Sequence, residues 1–356
     1  MITYLVTGGC GFIGANLILK LLAQPGARVV NLDALTYAGN PANLAAIATH
    51  PDYRFVHGGI EDFALVADLL SEEKPQAILH LAAESHVDRS IAGSDAFIRT
   101  NILGTHQLLE ATRVYWSSLP DTERLDFRFL QVSTDEVFGS LGFDDPAFRE
   151  DTPFAPNSPY SASKAASDHL VRAWHKTYGL PVLTTHCSNN YGPFQFPEKL
   201  IPLMIARALA GQPLPVYGDG RNVRDWLHVS DHCAALIAVL SRATPGSSYN
   251  IGGGAEMSNL DLVHQLCDLL DELRPAAVPR RRLVNFVKDR PGHDLRYAID
   301  EHRIRTDIGW HPEVNFQSGL RHTLEWYLAH QDWVQSVTSG DYRNWLELNY
   351  AGRSQA

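Results

Sequence analysis

Four cysteines in 356 residues, Cys10, Cys187, Cys233 and Cys267, leave little for covalent or metal bracing. None forms a C-x-x-C pair, and the spacing of none suggests a zinc site, so no metal is expected. They read as small apolar residues in a reducing compartment. No apolar run reaches transmembrane length, which argues against a membrane partner. The opening "MITYLVTGG" enters a strand at once, with no basic n-region and no cleavage site, so a cytoplasmic location is expected. Internal repeats and low-complexity tracts are missing too. Positive charge is in short supply: 30 Lys and Arg face 40 Asp and Glu, a formal net charge of −10. That argues against a nucleic-acid partner, which would require a basic face. An anionic small substrate stays open, because local clusters remain: Arg221 with Arg224, and "PRRR" followed by Lys288 and Arg290.

What is present is an ordinary globular composition, 45% hydrophobic and 20% charged. The length suits two domains, or one large domain with an elaborated second lobe. Through the first half, strand-like and helix-like segments alternate. "ITYLVTGG", "RVVNLDAL", "YRFVHGG", "QAILHLAA", "DFRFLQVST" and "LPVLTTHCS" read as near-continuous apolar strands. "GFIGANLILKLLAQPG", "EDFALVADLLSEEKP", "AFIRTNILGTHQLLEATRVYW" and "SPYSASKAASDHLVRAWHKTYG" carry helical spacing. This pattern predicts an α/β fold with a Rossmann-type doubly wound parallel sheet. Beyond residue 188 the chain is richer in Pro and Gly and loses the alternation, which predicts a smaller C-terminal substrate-binding lobe. The expected division is 1–188, with 221–250 returning, for the sheet domain, and 189–220 with 251–356 for the lobe.

"TGGCGFIG" spaces Gly8, Gly11 and Gly14 between a strand and a helix. Glycines there permit a tight turn and let backbone N–H groups approach a pyrophosphate. Asp33 ends the next strand, where a carboxylate accepts from ribose hydroxyls and repels a 2′-phosphate. NAD is therefore favoured over NADP. "YSASK" sets Tyr160 and Lys164 four residues apart, on one face of a helix entered at Pro159. A tyrosine of ordinary pKa near 10 is a poor base, and a nearby ammonium together with the positive nicotinamide is expected to stabilise its phenolate. "STDE" places Thr134, Asp135 and Glu136 where a buried strand emerges. Either these carboxylates serve a turn and helix start, or they are an acid and a base.

These motifs together are similar to the dTDP-glucose 4,6-dehydratases of the extended short-chain dehydrogenase/reductase superfamily. The resemblance runs through "LVTGGCGFIG", "LDALTYAGN", "HLAAESHVDRSI", "STDEVFG", "SPYSASKAASDHLVRA", "CSNNYGPFQFPEKLIPL", "VYGDGRNVRDWLHVSDH", "YNIGG" and "RPGHDLRYAID". It implies a nucleotide-diphosphate sugar as substrate and a tightly bound, recycled NAD. Tyr160 and NAD oxidise C4 of the glucose, with Thr134 on the C4 oxygen and Lys164 holding the phenolate. Glu136 removes the C5 proton, Asp135 protonates the departing C6 hydroxyl, and hydrogen then returns to C6. The resemblance also implies that Phe12, Ile13, Ile60, Ala82 and Ala83 join Gly8, Gly11, Gly14, Asp33, Tyr160 and Lys164 around the cofactor. Ser85 and His86 would line the sugar and cofactor pocket, and Asn189, Glu198, Lys199 and Leu200 would surround the sugar and diphosphate. Arg224, Asn259, Arg290 and His293 would hold the diphosphate and nucleoside, with Tyr217 near the base. Relatives pair two long helices per subunit into a four-helix homodimer interface, which the two longest helical segments here could form.

The sequence departs from the pattern at four places. Gly59-Ile60 stands where an Asp-Ile pair near the adenine is usual, leaving Glu61 or Asp62 as possible substitutes. Phe138 and Phe194 replace tyrosines, and His186 replaces an asparagine. A UDP-sugar 4,6-dehydratase, a 4-epimerase or a decarboxylase would share the Gly-rich turn and the Tyr/Lys pair. An epimerase has no use for Asp135 and Glu136 together. A non-catalytic NAD-sensing protein has no use for the five catalytic candidates at all.

Overall fold

Strands that are apolar along their whole length must be covered on both faces, and that is how the first half of the chain is used. The computed structural model describes residues 1–338 and Asn349. Its large sheet contains β1 (Ile2–Thr7), β2 (Ala27–Asp33), β3 (Tyr53–His57), β4 (Ala77–His80), β5 (Arg128–Thr134), β6 (Val182–Cys187) and β10 (Ser248–Ile251). The order across the sheet is β10-β6-β5-β4-β1-β2-β3. All six pairings are parallel, with Leu5 opposite Val30 on one side and Ile78 on the other. The strand order reverses between β1 and β4, so a crevice opens at their carboxyl ends.

Helices flank both faces. Phe12–Leu22 and Val229–Arg242 bury Leu17, Ile18, Leu21, Cys233, Leu236 and Val239 on one face. Ile304, Ile308 and Trp310 join that same core. Phe63–Glu73, Thr105–Ser118 and Pro159–Tyr178 cover the other, with Leu69, Leu70, Leu108, Leu109 and Val171. The stretch from Asp95 to Ser118 is helical as the spacing predicts, but Ile98–Gly104 is wound as a π-helix. Hydrophobic spacing does not reveal such a turn, which often marks a functional site.

A second core gathers Tyr191, Ile205, Trp226, Leu262, Leu266, Phe316 and Leu320. Its strands form two small sheets. β7 (Asn189–Tyr191), β9 (Val223–His228) and β11 (Glu256–Ser258) make one, and β8 (Leu214–Tyr217) pairs with β12 (Val284–Val287) in the other. Within 221–250 the chain therefore serves both bodies. β9 belongs to the small sheet, while the following helix and β10 complete the large one. The four cysteines are buried free thiols. No helix among the described residues is long and apolar enough to cross a membrane.

Candidate active site

Six strands of the large sheet send their carboxyl ends to one cavity of ≈ 330 Å³. Every residue expected at the dinucleotide lines it, together with Thr134, Asp135, Glu136, Ser85, Asn189, Glu198 and Lys199. The Gly-rich turn is packed to its limit. A Cβ on Gly14 would sit 2.3 Å from Gly8 O, and one on Gly8, at φ +72°, would sit 2.7 Å from Ala82 N. The helix that follows, Phe12–Leu22, has no side-chain cap and no acidic residue in its first turn. Its N–H groups and positive dipole end are thus left facing the cavity, as a pyrophosphate requires. Asp33 accepts from Cys10 N and Leu35 N, both at 2.8 Å, one on each oxygen. An ionised carboxylate has about four acceptor positions, so ribose hydroxyls still find room there.

Tyr160 and Lys164 are set by the start of the helix Pro159–Tyr178. Ser158 and Ser161 form a reciprocal capping box, and Pro159 occupies the first helical position. Tyr160 is buried and packs edge-on to Phe97. Lys164 Nζ donates to Val132 O at 2.8 Å. The expected stabilisation of the phenolate combines Lys164 with the nicotinamide's charge, and the protein's own groups act in the opposite direction. Burial pushes the Tyr160 phenol well up, the Glu136 carboxylate adds to the rise, and a Thr134 hydrogen bond opposes it. Burial pulls the Lys164 ammonium down, against the attraction of Asp168. Behind the pair, Asp168 accepts from Ser133 Oγ at 2.6 Å and from Gln131 Nε2 at 3.2 Å.

Thr134 ends β5, and its hydroxyl donates to Asp135 Oδ1 at 3.3 Å. The two carboxylates next to it live in different surroundings. Asp135 is 2% exposed, and its Oδ2 has no hydrogen-bond partner. Burial pushes it well above the usual carboxylate range, and Glu136 and Asp225 push it further. Glu136 is raised by burial as well, but Arg290, Lys199 and Arg224 all pull it back. Both are raised, but the cations oppose the rise at Glu136, so the two surroundings favour the proton on Asp135 over Glu136.

The cations around Glu136 come from the second core. Arg224 is buried in β9, donates to Val223 O (2.7 Å) and Asp294 O (3.0 Å), and covers the Tyr297 ring at 4.3 Å. Arg290 Nη1 donates to Asp88 Oδ1 at 3.1 Å, and its Nε is buried without a partner. Tyr217 OH donates to Asp88 Oδ2 at 2.8 Å, and its ring meets His293 edge-on. His293 shares a proton position with Asp289 Oδ1 at 2.6 Å; burial lowers it to about 4, and Arg290 and Arg224 assist. Lys199 Nζ reaches back to Ser85 O at 2.8 Å, and Glu198 accepts from Arg89 Nε at 3.0 Å. Asn189 Oδ1 and Asn259 Oδ1 are buried without partners.

Two predicted contacts fall elsewhere. The side chain of Leu200 packs on the second core, because it opens the helix Leu200–Leu209 just after Lys199. His86 caps the helix Val87–Ala92, its Nδ1 accepting from Arg89 N at 3.4 Å. Burial lowers His86 to about 4, so it is neutral. Phe138 faces away from the cavity into an aromatic cluster with Phe148, Phe154 and His186. Phe194 stands at φ +68° and packs on Trp326 and Trp333.

Sequence reasoning missed the residues that hold the site residues in place. Asn101, buried within the π-turn, accepts from Glu84 N and donates to Glu84 O, and its amide nitrogen also donates to Ser163 Oγ at 2.8 Å. Asp88, Asp225 and Asp294 are buried carboxylates bound to predicted site residues or to the loops beside them. All three lie in the stretches "HVDRS", "NVRDW" and "RPGHD", but no role was read for them there. Among the described residues no group of three His, Cys, Asp or Glu is placed to hold a metal.

Residues 5–323 match the family described as GDP-mannose 4,6 dehydratase. A dTDP-glucose 4,6-dehydratase of Xanthomonas campestris pv. campestris is 60% identical over 345 residues, 96% of this chain and 98% of that one. The crystal structure of a dTDP-glucose 4,6-dehydratase from Streptomyces venezuelae with NAD bound superposes with a TM-score of 0.86 at 46% identity, covering 94% of this chain and 100% of that one. A Thermus thermophilus UDP-glucose 4-epimerase in complex with NAD reaches 0.80 at 28% identity, over 92% and 100%.

Proposed function

The chain belongs to the GDP-mannose 4,6 dehydratase family, and from that premise we propose that it converts dTDP-glucose to dTDP-4-keto-6-deoxyglucose and water with a bound, recycled NAD. The observation that carries this reading is the divided pair Asp135–Glu136 at the tip of β5, beside Tyr160. Gly8–Gly14, Asp33 and Tyr160 would hold the NAD, which when bound would supply a hydride acceptor for C4 of the sugar and a hydride donor for C6.

The chain's own residues manage protons. Tyr160 takes the C4 hydroxyl proton, with Thr134 hydrogen-bonded to the same oxygen. The burial that raises the free phenol makes it a strong base once it is ionised. Lys164, anchored on Val132 O, keeps positive charge next to it. The 4-keto group then acidifies C5–H. Glu136 takes that proton: burial raises its affinity for it, and Arg290, Lys199 and Arg224 temper the rise. Asp135, kept protonated by burial, gives its proton to the C6 hydroxyl, which leaves as water. Glu136 returns a proton to C5 at the end. Arg224 and Arg290 grip the diphosphate, a task suited to guanidinium groups. Asn189, Asn259, Lys199, His293 and Tyr217 complete the sugar-nucleotide contacts. The sheet domain, 1–188 with the helix and strand that follow β9, carries the cofactor, and 189–220 with β9 and 251–338 supply the nucleotide-sugar side.

We place the enzyme in the cytoplasm as a homodimer built on the helical stretches 95–118 and 159–178. Exposed Ile98, Leu103 and Val114 on the first of these support that pairing. Sedimentation at micromolar concentration tests it, and a monomer would refute it. The reaction is tested by incubating the protein with dTDP-glucose in deuterated water. The expected 4-keto-6-deoxy product carries solvent deuterium at C5 and the original C4 hydrogen at C6. Epimerised sugar, or a C6 hydrogen drawn from solvent, would overturn the assignment.

A further inference from the structure

The cavity runs past Asp33 to the end of β3, where Gly58, Gly59, Ile60 and Glu61 line it. Its opposite end holds Tyr160, and the uncapped helix start at Gly11–Phe12 lies between them. A dinucleotide with its redox ring at Tyr160 and its pyrophosphate at the helix start must send its adenosine toward β2 and β3. With the ribose on Asp33, the base itself arrives at Gly58–Glu61.

At that end the backbone offers an unusual arrangement. A Cβ built on Gly59 would lie 2.3 Å from both Glu61 Oε1 and Oε2. The Glu61 carboxylate has therefore folded back into the volume that a side chain at 59 would occupy. It is an exposed residue, and among the described residues it has neither a hydrogen bond nor an ion pair. The other carboxylates nearby are committed. Asp62 accepts from Leu65 N at 3.0 Å and caps the helix Phe63–Glu73. Asp33 holds Cys10 N and Leu35 N. Ile60 is 3% exposed, and a Cβ on Gly104 would come within 2.9 Å of its side chain, so its apolar surface is fixed beside Glu61. An apolar wall with one unpaired carboxylate at its edge suits a flat base that carries an exocyclic amino group.

We propose that Glu61 reads the adenine, accepting a hydrogen bond from its 6-amino group through the space that Gly59 leaves empty. A 6-oxo purine presents an acceptor at the same position, and two acceptors facing each other repel. Glu61 is thus a specificity residue for the base of the cofactor, rather than a surface charge. The proposal rests on the assignment of NAD to this cavity.

The test reads the identity of the bound nucleotide and not the reaction. Holoenzyme is equilibrated with equal excesses of NAD and nicotinamide hypoxanthine dinucleotide and desalted. The protein is then denatured, and the released dinucleotides are quantified by chromatography. Wild-type protein is expected to hold NAD over the hypoxanthine analogue by about tenfold, the effect of one hydrogen bond gained against one repulsion. Glu61→Ala should bring the ratio to within about twofold of unity, and Glu61→Gln, whose amide donates to the 6-oxo group, should favour the analogue. Adding Gly59→Asp to Glu61→Ala should restore the preference for NAD, because it returns a carboxylate to the same volume. Unchanged ratios in both single variants, with a full equivalent of dinucleotide bound, would overturn the role of Glu61. Wild-type protein that retains no dinucleotide would overturn the cofactor assignment instead.

Discussion

The two walls of the active site are held by opposite physical means. On the β5 side, charge is made costly: Asp135 has an unpartnered oxygen, Tyr160 is pushed up by burial, and Lys164 is anchored on a backbone carbonyl. On the lobe side, charge is held in place: Asp88 raises Arg290 against its burial, and Arg224, which burial lowers, is fixed by its donation to Asp294 O. Desolvation poises groups to exchange protons, whereas paired charge poises groups to hold a charged ligand still. Glu136 sits where the walls meet. Burial raises its basicity, and the far wall's cations oppose that rise.

The sharpest way to break this comparison is at that junction. Glu136→Gln is expected to lower kcat by about a thousandfold, within the usual range for a lost acid–base group, while KM stays within about threefold. C4 oxidation should still occur and appear as a reduced-nicotinamide absorbance band that does not decay. A large rise in KM would instead place Glu136 with the binding wall. Arg290→Ala should do the reverse. KM is expected to rise about 30-fold, roughly 2 kcal/mol, with kcat changed much less. Binding of dTDP in this variant, followed by calorimetry, should also lose part of its salt dependence.

Asp135 gives the comparison a pH axis. Its folded-state pKa is raised by burial, so it favours the fold below the usual carboxylate range and burdens it as pH rises through the raised value. The elimination rate should accordingly fall on the alkaline side as the acid loses its proton. Asp135→Asn, which removes that burden, should stop dehydration while raising the thermal midpoint at pH 8 by about 2 °C or more. A lowered midpoint would show that the carboxylate is not paying a desolvation cost. The smallest effect is expected from Phe138→Tyr. Its ring lies in the aromatic cluster with Phe148 and Phe154, so kcat and KM should stay within about twofold.

The β5 wall was largely legible in the sequence, and the lobe wall was not. Gly8–Gly14, Asp33, Thr134–Glu136 and Tyr160–Lys164 each lie in a short local pattern whose geometry follows from a strand end or a helix face. Arg290 and Asp88 are 202 residues apart, and no local period connects them. Asn101 was hidden because one π-turn shifts the helix face without disturbing its hydrophobic spacing. The burial that raises Tyr160 was hidden for a related reason: adjacency to Lys164 is written in the sequence, whereas burial is produced by the whole fold. The family resemblance pointed to Arg224, Arg290 and His293, but not to the aspartates that hold them.

The pairing of β6 with β10 also bears on how the chain is made. β6 ends at Cys187 and β10 at Ile251, so 251 − 187 = 64 further residues must follow before that edge is filled. At about 5–20 residues per second, a ribosome needs roughly 3–13 s to add them. For that interval the nascent sheet presents Val182, Leu183 and Cys187 on an unpaired parallel edge, the kind of surface on which nascent chains associate. Slow synthesis through the codons for residues 188–251 should therefore lower the soluble yield, and a chaperone that shields strand edges should restore it.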